Sequence, residues 1–244
     1  MKAVILAAGR GSRMGGKTKE VPKCLTELCG KTLLERQIEA VRQAGIEEIG
    51  IVRGYMAEKI SIEGIKYFEN PKWSETNMLM SLCCAGEWLE TDECVISYSD
   101  IVYTAAAIES IKNCKRDICI TYNTKWLDLW QQRFADPLSD AETFRIDQNN
   151  NVIEIGNKAR SMDEIEGQYM GLLKFSPAGW QATRNYLDTL DTASLNRMDM
   201  TRLLSNLIQR ETSVYAIPYG GLWLEVDNET DLALYEGKYR EILI

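Results

Sequence analysis

The sequence contains no histidine among its 244 residues. This absence excludes Ser-His-Asp and Cys-His catalysis, histidine-ligated metal sites and a histidine proton shuttle. Any chemistry must therefore depend on carboxylates, lysines, arginines and a hard cation. That set favours phosphoryl or nucleotidyl transfer, in which positioning and charge neutralisation supply most of the catalysis.

Long apolar runs and basic stretches are also scarce. No run approaches the roughly 18 apolar residues that suggest a membrane span, and the chain opens on a strand rather than on a secretory leader. We therefore expect a cytoplasmic protein with no membrane partner. The formal net charge of −8, with no basic stretch beyond the first loop to offset it, argues against a nucleic-acid partner.

Cysteine is present, but not in a pattern that predicts a disulfide framework. The seven cysteines are an odd number and fit reduced thiols in the core. The pairs Cys24/Cys29 and Cys114/Cys119 are too widely spaced for typical zinc knuckles, which favours packing over metal binding. The length of 244 residues predicts a single domain over residues 1–244.

The most informative stretch is residues 2–23, KAVILAAGRGSRMGGKTKEVPK. Its apolar run Ala3–Ala7 lacks polar alternation, which is typical of a strand buried on both faces of a parallel sheet. Glycines after the strand let backbone N–H groups approach a ligand, and the bases supply charge for phosphate. We therefore predict a nucleotide-binding loop in which Arg13 grips triphosphate oxygens and Lys23 reaches the α-phosphate or the acceptor's phosphate. The alternative is a pair of solvated loop charges.

Two other loop types match part of this stretch. A dinucleotide fingerprint needs a glycine where Met14 stands. Residues 11–18, GSRMGGKT, match the Walker A pattern, which would make Lys17 and Thr18 the site of a P-loop ATPase or kinase. That motif requires a helix directly after the Lys-Thr pair, but Pro22 follows closely and disfavours one.

The string LAAGRGSR at residues 6–13, followed by Pro22-Lys23, resembles the signature of the sugar-nucleotide pyrophosphorylase superfamily of nucleotidyltransferases. Ser99-Asp100 and Glu225–Asp227 are similar to segments of its CTP:phosphocholine cytidylyltransferase branch, which has phosphonate-activating relatives. The resemblance implies transfer of CMP from CTP to a small, phosphocholine-like phosphorylated or phosphonate acceptor, with release of pyrophosphate. The acceptor could also be an amino-acid phosphate or a sugar 1-phosphate. A non-catalytic nucleotide sensor with the same fold is an alternative function.

The remaining pattern predicts an α/β fold with a Rossmann-like, mixed but mostly parallel sheet flanked by helices. Thr32 and Glu35 predict a capping box at the start of the first helix, and Gly45 its end. From Asn123 the pattern changes to what we interpret as short strands and loops. We therefore predict a small antiparallel lid, about residues 123–175, that binds the acceptor above the carboxyl edge of the sheet.

Asp100 and Asp227 are the candidate metal ligands. Each follows an apolar, strand-like run, so we expect both at one edge of the sheet, where they would bind Mg²⁺. The resemblance places metal-binding aspartates at the same positions. Taken singly, each fits a turn or N-cap aspartate as well.

The resemblance implies that backbone groups of residues 6–11 hold the base, ribose and triphosphate. Asn77 and Ser81 lie one helical turn apart and are candidates for the pyrimidine edge or the ribose, although both also suit helix capping. The predicted nucleotide-binding residues are Leu6, Ala8, Gly9, Gly11, Ser12, Arg13, Asn77 and Ser81.

For the acceptor we predict an aromatic wall that attracts an ammonium group, with Asp128, Glu142 or Glu154 nearby. The candidate aromatic residues are Trp126, Trp130, Tyr169 and Trp223. Core packing is an equally good explanation of their spacing. The resemblance implies that Lys158, with Lys23, binds the acceptor's phosphate, and Arg133 and Arg160 are reserves. A homodimer is compatible with the sequence, which does not determine the oligomeric state.

Overall fold

A computed structural model shows a seven-stranded mixed sheet with helices on both faces and three small two-stranded sheets. The structure describes residues 1–244, apart from the side chain of Lys17. The strands are β1 (Lys2–Ala7), β2 (Glu27–Leu28), β3 (Lys31–Thr32), β4 (Ile49–Arg53), β5 (Lys66–Glu69), β6 (Cys94–Tyr98), β7 (Ile101–Tyr103), β8 (Ile118–Asn123), β9 (Glu142–Ile146), β10 (Val152–Lys158), β11 (Gln168–Phe175), β12 (Tyr215–Tyr219) and β13 (Trp223–Glu225). The α-helices are α1 (Leu33–Gln43), α2 (Met78–Cys84), α3 (Gly86–Leu89), α4 (Ala105–Lys112), α5 (Trp126–Arg133), α6 (Pro177–Leu187), α7 (Thr192–Arg197), α8 (Met200–Gln209), α9 (Glu229–Lys238) and α10 (Arg240–Leu243).

The main sheet has the strand order β12-β8-β11-β6-β1-β4-β5. Only β11 runs antiparallel to its neighbours, β6 and β8, and every other neighbouring pair is parallel. The predicted fold class, a mixed and mostly parallel sheet flanked by helices, is therefore confirmed.

The first strand lies inside the main sheet, next to its middle strand β6. Residues 3–7 are all buried, because β1 pairs with β4 on one side and β6 on the other while helices cover both faces. The chain leaves β1 toward β4 and later returns on the other side to form β6. The carboxyl ends of β1 and β6 thus meet where the strand order reverses, which is the usual ligand site of open α/β sheets.

Helix α1 begins where the capping pattern predicts. The Thr32 hydroxyl accepts a hydrogen bond from the Glu35 amide at 3.1 Å, and the Thr32 amide donates to the Glu35 carboxylate at 2.8 Å. The chain turns at Gly45, whose φ of +76° favours glycine. Local signals at both ends therefore predict this helix correctly.

Two predictions between residues 123 and 175 are wrong. Residues 126–133 form helix α5 rather than a strand or loop, because Trp126, Leu129 and Trp130 share the buried side of a helix. Strand β11 belongs to the main sheet instead of a separate layer. The small antiparallel unit in this region is the β9–β10 hairpin alone.

Two further differences concern helices. The sequence pattern predicts one helix over residues 77–88, but the structure breaks it at Ala85 into α2 and α3. Helix α7 lies in a stretch for which no element was predicted. Short helices such as these have weak periodicity, so the pattern alone does not resolve them.

The longest helices, α1 and α6, have 11 residues each. A bilayer-spanning helix needs about 20 residues. None of the helices that the structure describes is long and apolar enough to cross a membrane.

Candidate active site

The glycine loop after β1 packs directly on Lys23. Gly11 has a φ of +70°, and a Cβ added there would lie 2.6, 2.7 and 2.9 Å from three carbons of the Lys23 side chain. Glycine is therefore required at this position both for the backbone angle and for the space. The turn Lys23–Leu25 follows Pro22 and brings the lysine under the loop.

Lys23 joins the two aspartates that the sequence nominates as metal ligands. Its ammonium lies 2.7 Å from Asp100 Oδ2 and 3.0 Å from Asp227 Oδ1, and the residue is only 7% exposed. Burial alone would lower the pKa of Lys23, but the negative charges of Asp100 and Asp227 outweigh it and raise the pKa. The two acids therefore lie together at one edge of the sheet, as predicted, and both contact one buried lysine, which was not predicted.

The pairing of two short strands brings these aspartates together. Asp100 lies between β6 and β7, and Asp227 follows β13, which runs antiparallel to β7. The register places Glu225 opposite Ile101, and the Val226 amide donates to the Asp100 carbonyl at 2.9 Å. Residues far apart in the chain thus reach the carboxyl edge of the main sheet together.

Arg13 completes the cluster on its solvent side. Its Nη2 lies 2.9 Å from Asp227 Oδ1, while 68% of the arginine side chain is exposed. Burial would raise the pKa of Asp227, but the charges of Lys23 and Arg13 outweigh it and lower the pKa. Asp227 is therefore ionised at neutral pH, and Arg13 is open to an anionic ligand.

A half-buried acid, Glu225, stands beside Asp227, with 27% of its side chain exposed. Burial and the charge of Asp227 raise the pKa of Glu225 to about 7, although Arg133 opposes the shift. Arg133, a reserve for the acceptor's phosphate, pairs with Glu225 Oε2 at 2.8 Å and with Asp227 Oδ2 at 3.2 Å. It is therefore engaged in an internal ion-pair network.

A cavity of about 340 Å³ opens beside Asp227 and Arg13. Its polar lining is strongly acidic, with Asp140, Glu142, Asp199, Glu225 and Asp227 around it. Desolvation and the neighbouring charges of Asp199 and Asp140 raise the pKa of Glu142, and desolvation also raises the pKa of Asp140. This cavity suits a cationic group next to an anion held by the cluster.

The predicted aromatic residues do not form one wall. Trp130 and Tyr169 line the cavity, and Tyr98, which was not predicted, lies edge-on to Tyr169 at 5.8 Å. Trp223 stacks on Trp130 at 5.4 Å, and Trp126 contacts Trp130 edge-on at 6.0 Å, so both support Trp130 from outside the cavity lining. The spacing of the tryptophans thus reflects core packing in part.

Of the two residues predicted to bind the base or the ribose, Asn77 lines the cavity and Ser81 does not. The Asn77 side chain caps α2 by accepting from the Met78 amide at 2.8 Å, and Asn77 also lines the cavity. The Ser81 hydroxyl is buried and accepts from Asn70 Nδ2 at 3.0 Å, away from the cavity lining. Their roles in nucleotide binding stay predictions.

The other loop residues lie near the carboxyl end of β1. Leu6 and Ala8 are buried, whereas Gly9 and Ser12 are exposed in the loop. Lys158 is exposed at the end of β10, opposite Glu142, and Arg160 is exposed two residues later; neither residue lines the cavity. The role of Lys158 in acceptor binding therefore stays a prediction.

The Walker A context is absent. The turn Ser12–Thr18 ends at Thr18, whose hydroxyl donates to the Gly11 carbonyl at 3.1 Å, and the next α-helix begins only at Leu33. The side chain of Lys17 lies outside the described residues. The backbone after Thr18 thus lacks the helix that a P-loop needs.

Three acids at the site, Asp140, Asp199 and Asp231, were not predicted from the sequence as functional residues. Glu225 was named only within a segment of the family resemblance, and Arg133 only as a reserve for the acceptor's phosphate. Asp199 caps helix α8 by accepting from the Arg202 amide at 2.7 Å. Glu225 stands two residues before Asp227, so its position beside a metal candidate was a usable signal. The positions of Asp140 and Arg133 at the site depend on where helix α5 lies, and the sequence pattern did not predict that helix.

Comparison with known proteins places this geometry in context. Residues 3–153 match the model of the MobA-like NTP transferase domain. A CTP:phosphoglutamine cytidylyltransferase of Campylobacter jejuni is 38% identical over 95% of this chain and 98% of its own length. A choline-phosphate cytidylyltransferase of Streptococcus pneumoniae is 38% identical over 36% of this chain and 41% of its own length.

Among solved structures, the inositol-1-phosphate CTP transferase of T. maritima has a similar fold. Its TM-score is 0.77 at 19% identity, and the match covers 98% of this chain and 96% of that one. At this identity the likeness concerns the fold alone.

Proposed function

Because the chain belongs to the MobA-like NTP transferase domain family, we propose that it is a Mg²⁺-dependent cytidylyltransferase. It transfers CMP from CTP to a small phosphorylated or phosphonate acceptor that carries an ammonium group, and pyrophosphate leaves. The observation that carries this proposal is the Lys23 ammonium shared by Asp100 and Asp227, with the exposed Arg13 guanidinium on the same Asp227 oxygen. Cations and carboxylates in this arrangement suit a triphosphate and a hard metal ion.

The reaction needs no covalent enzyme intermediate. An oxygen of the acceptor's phosphate or phosphonate attacks the α-phosphorus of CTP and forms the new P–O bond. The bond from the α-phosphorus to the bridging oxygen breaks, and pyrophosphate leaves with the electron pair. Arg13 and Lys23 offset the charge that develops on the phosphoryl oxygens, a contribution of about 10²–10³ in rate for one such group.

The two aspartates fit the metal that this chemistry uses. Asp100 Oδ1 is buried and has no hydrogen-bond partner among the described residues, while Oδ2 contacts Lys23. An orphaned buried carboxylate oxygen next to a second carboxylate is the donor set that Mg²⁺ takes, since it binds few protein ligands and keeps phosphates and water for the rest. Bound Mg²⁺ would supply positive charge to the phosphates. Asp100 and Asp227 would hold it.

The nucleotide side of the site follows the loop after β1. Backbone groups of residues 6–11, with Ser12, Asn77 and Ser81, are proposed to bind CTP, and the exposed Arg13 to hold its triphosphate. CTP, rather than another nucleotide, is proposed because two relatives are named cytidylyltransferases.

The acceptor side follows the acidic cavity. Its wall contains three exposed carboxylates, from Asp140, Glu142 and Asp199. Among the side chains that the structure describes, Arg13 is the one basic group in the lining. An acceptor with a phosphate near Arg13 and an ammonium near these acids matches both charges. Trp130 offers little ring surface because it is 3% exposed, so hydrogen bonds to carboxylates favour a primary ammonium over a quaternary one.

The test is a pyrophosphate-release screen with CTP, Mg²⁺ and several acceptors. The expected order is phosphoethanolamine and 2-aminoethylphosphonate above phosphocholine, with glucose 1-phosphate lowest, and UTP, GTP and ATP poorer than CTP. An amino-acid phosphate belongs among the good acceptors. Pyrophosphate release with none of them, or fastest with glucose 1-phosphate, would refute the proposal.

A further inference from the structure

Besides Trp130, helix α5 brings its last residue, Arg133, to the candidate active site, and the Arg133 side chain is almost inaccessible. The side chain of Arg133 is 1% exposed, and its guanidinium contacts three carboxylates. Nη1 lies 2.8 Å from Glu225 Oε2, Nη2 lies 3.2 Å from Asp227 Oδ2, and Nε lies 3.0 Å from Asp231 Oδ1. Each nitrogen of the guanidinium thus has an acidic partner, so Arg133 is unsuited to holding a substrate directly.

The two oxygens of Asp227 have separate partners. Oδ1 faces the ligand side, where it contacts Lys23 at 3.0 Å and Arg13 at 2.9 Å. Oδ2 faces Arg133. The arginine therefore fixes the rotation of the carboxylate, because a turn about the side-chain bond would break the contact to Oδ2.

Asp231 holds the backbone of Asp227 in place and also contacts Arg133. Its Oδ2 accepts from the Asp227 amide at 2.8 Å and from the Asn228 amide at 3.2 Å, while Oδ1 contacts Arg133. Asp231 is also the third residue of α9 and forms the capping box with Asn228. One hydrogen-bonded unit therefore links the start of α9, the side chain of Arg133, and the backbone amide and carboxylate of Asp227.

From this geometry we infer that Arg133 is a positioning residue that orients the Asp227 carboxylate and thereby sets the affinity for the divalent cation. The inference rests on the proposed function and adds a residue that does not touch the substrates. Arg133 also supplies positive charge that offsets the repulsion between the half-buried Glu225 and the buried Asp227.

The shape of the guanidinium explains why arginine is suited to this position. Its planar fork reaches three acids on β13, on the following loop and on α9 at once, whereas a lysine ammonium is a single point charge. Arg133→Lys should therefore keep the charge but lose the rotational constraint on Asp227. Arg133→Met should lose both.

The test measures Mn²⁺ binding by electron paramagnetic resonance with CTP present and no acceptor, so that the readout does not depend on turnover. Wild type, Arg133→Lys and Arg133→Met are compared at one protein concentration. The expected dissociation constant for Mn²⁺ rises about threefold to fivefold in Arg133→Lys and tenfold or more in Arg133→Met. At saturating Mg²⁺, the kcat of Arg133→Lys should lie between the kcat of Arg133→Met and that of wild type.

The matched control is Lys174→Met, which removes another buried cation. Lys174 is fully buried and pairs with Glu93 at 3.1 Å, outside the cavity lining. This variant should lose thermal stability but keep the wild-type Mn²⁺ affinity. A purely structural role for Arg133 predicts that its variants behave like Lys174→Met.

Each outcome decides the inference separately from the proposed function. Wild-type Mn²⁺ affinity in Arg133→Lys and Arg133→Met overturns the inference even if pyrophosphate is released normally. If Arg133→Met does not fold, Arg133→Lys alone decides, and unchanged affinity there overturns the inference. Wild-type protein that binds no Mn²⁺ also overturns it. A weakened affinity in the Arg133 variants supports it even where the acceptor screen fails.

Discussion

The two ends of the main sheet each bury a lysine, and the surroundings of these lysines differ in kind. Lys174 lies toward the amino end of β6, where its ammonium contacts Glu93 at 3.1 Å and the Cys114 carbonyl at 2.6 Å. Lys23 lies toward the carboxyl end of β6, where it contacts Asp100 and Asp227. Both residues have less than a tenth of their surface exposed.

The two lysines differ in whether the groups around them can still bind a ligand. At the amino end the partners of Lys174 are one carboxylate and one carbonyl, and neither faces the cavity. At the carboxyl end, Asp100 Oδ1 has no partner among the described residues, Arg13 is mostly exposed and Asp227 faces the cavity. A buried charge therefore indicates function when its partners keep binding capacity toward an open space.

The largest effect should separate the two lysines directly. Lys23→Met should lower kcat by about 10²–10³, because it removes charge that stabilises the transition state. Lys174→Met should lower the thermal midpoint and leave kcat within about threefold of wild type. Steady-state pyrophosphate release and thermal unfolding of both variants test this. Near-normal turnover in Lys23→Met would remove the distinction.

The second comparison uses the two acids that flank β6. Asp100→Asn should lower kcat by on the order of 10², since an amide is a poorer ligand for Mg²⁺ than a carboxylate. Asp92→Asn changes the acid at the amino end, which pairs with Lys2 at 3.1 Å, and should leave the rate unchanged. Rates are measured over a Mg²⁺ titration. Equal Mg²⁺ dependence in both variants would contradict the metal assignment.

A smaller effect should follow from the contact between Gly11 and Lys23. Gly11→Ala should lower kcat/KM roughly tenfold, because the added methyl displaces the lysine from its position. Gly237→Ala is the control, since a Cβ at Gly237 has no heavy atom within 4 Å. If Gly11→Ala keeps the kcat/KM of wild type, the position of Lys23 does not depend on the loop.

The smallest effect should concern the acceptor alone. Glu142→Gln should raise the KM of phosphoethanolamine by up to about fivefold, as expected for an exposed ion pair worth about 0.2–1 kcal/mol. The KM of CTP should not change. Glu154→Gln, in the same hairpin but outside the cavity lining, is the control. A higher KM for CTP in Glu142→Gln would place that acid near the nucleotide instead.

The carboxyl end of the sheet was largely predictable from sequence, and for physical reasons. A buried parallel strand has a continuous apolar run, so Ala3–Ala7 identifies β1, and residues directly after such strands reach the ligand edge. That reasoning placed Asp100 and Asp227 at one edge. The pairing of β7 with β13, which brings the two aspartates together, was not predicted.

The acceptor side was less predictable because it depends on tertiary packing. The four-residue spacing of Trp126 and Trp130 cannot tell a cavity wall from a core face, and most of their surface packs against neighbours. Arg133 depends on a helix that was interpreted as strand and loop. Its three acids come from β13, the following loop and α9, and this arrangement appears only in the folded chain.

The most direct test of the central claim is ³¹P nuclear magnetic resonance of a reaction with CTP, Mg²⁺ and 2-aminoethylphosphonate. We predict new coupled signals from a phosphonate–phosphate linkage, with one equivalent of pyrophosphate for each linkage formed. Release of orthophosphate with CDP, or of CMP without a new linkage, would contradict transfer at the Lys23–Asp100–Asp227 cluster.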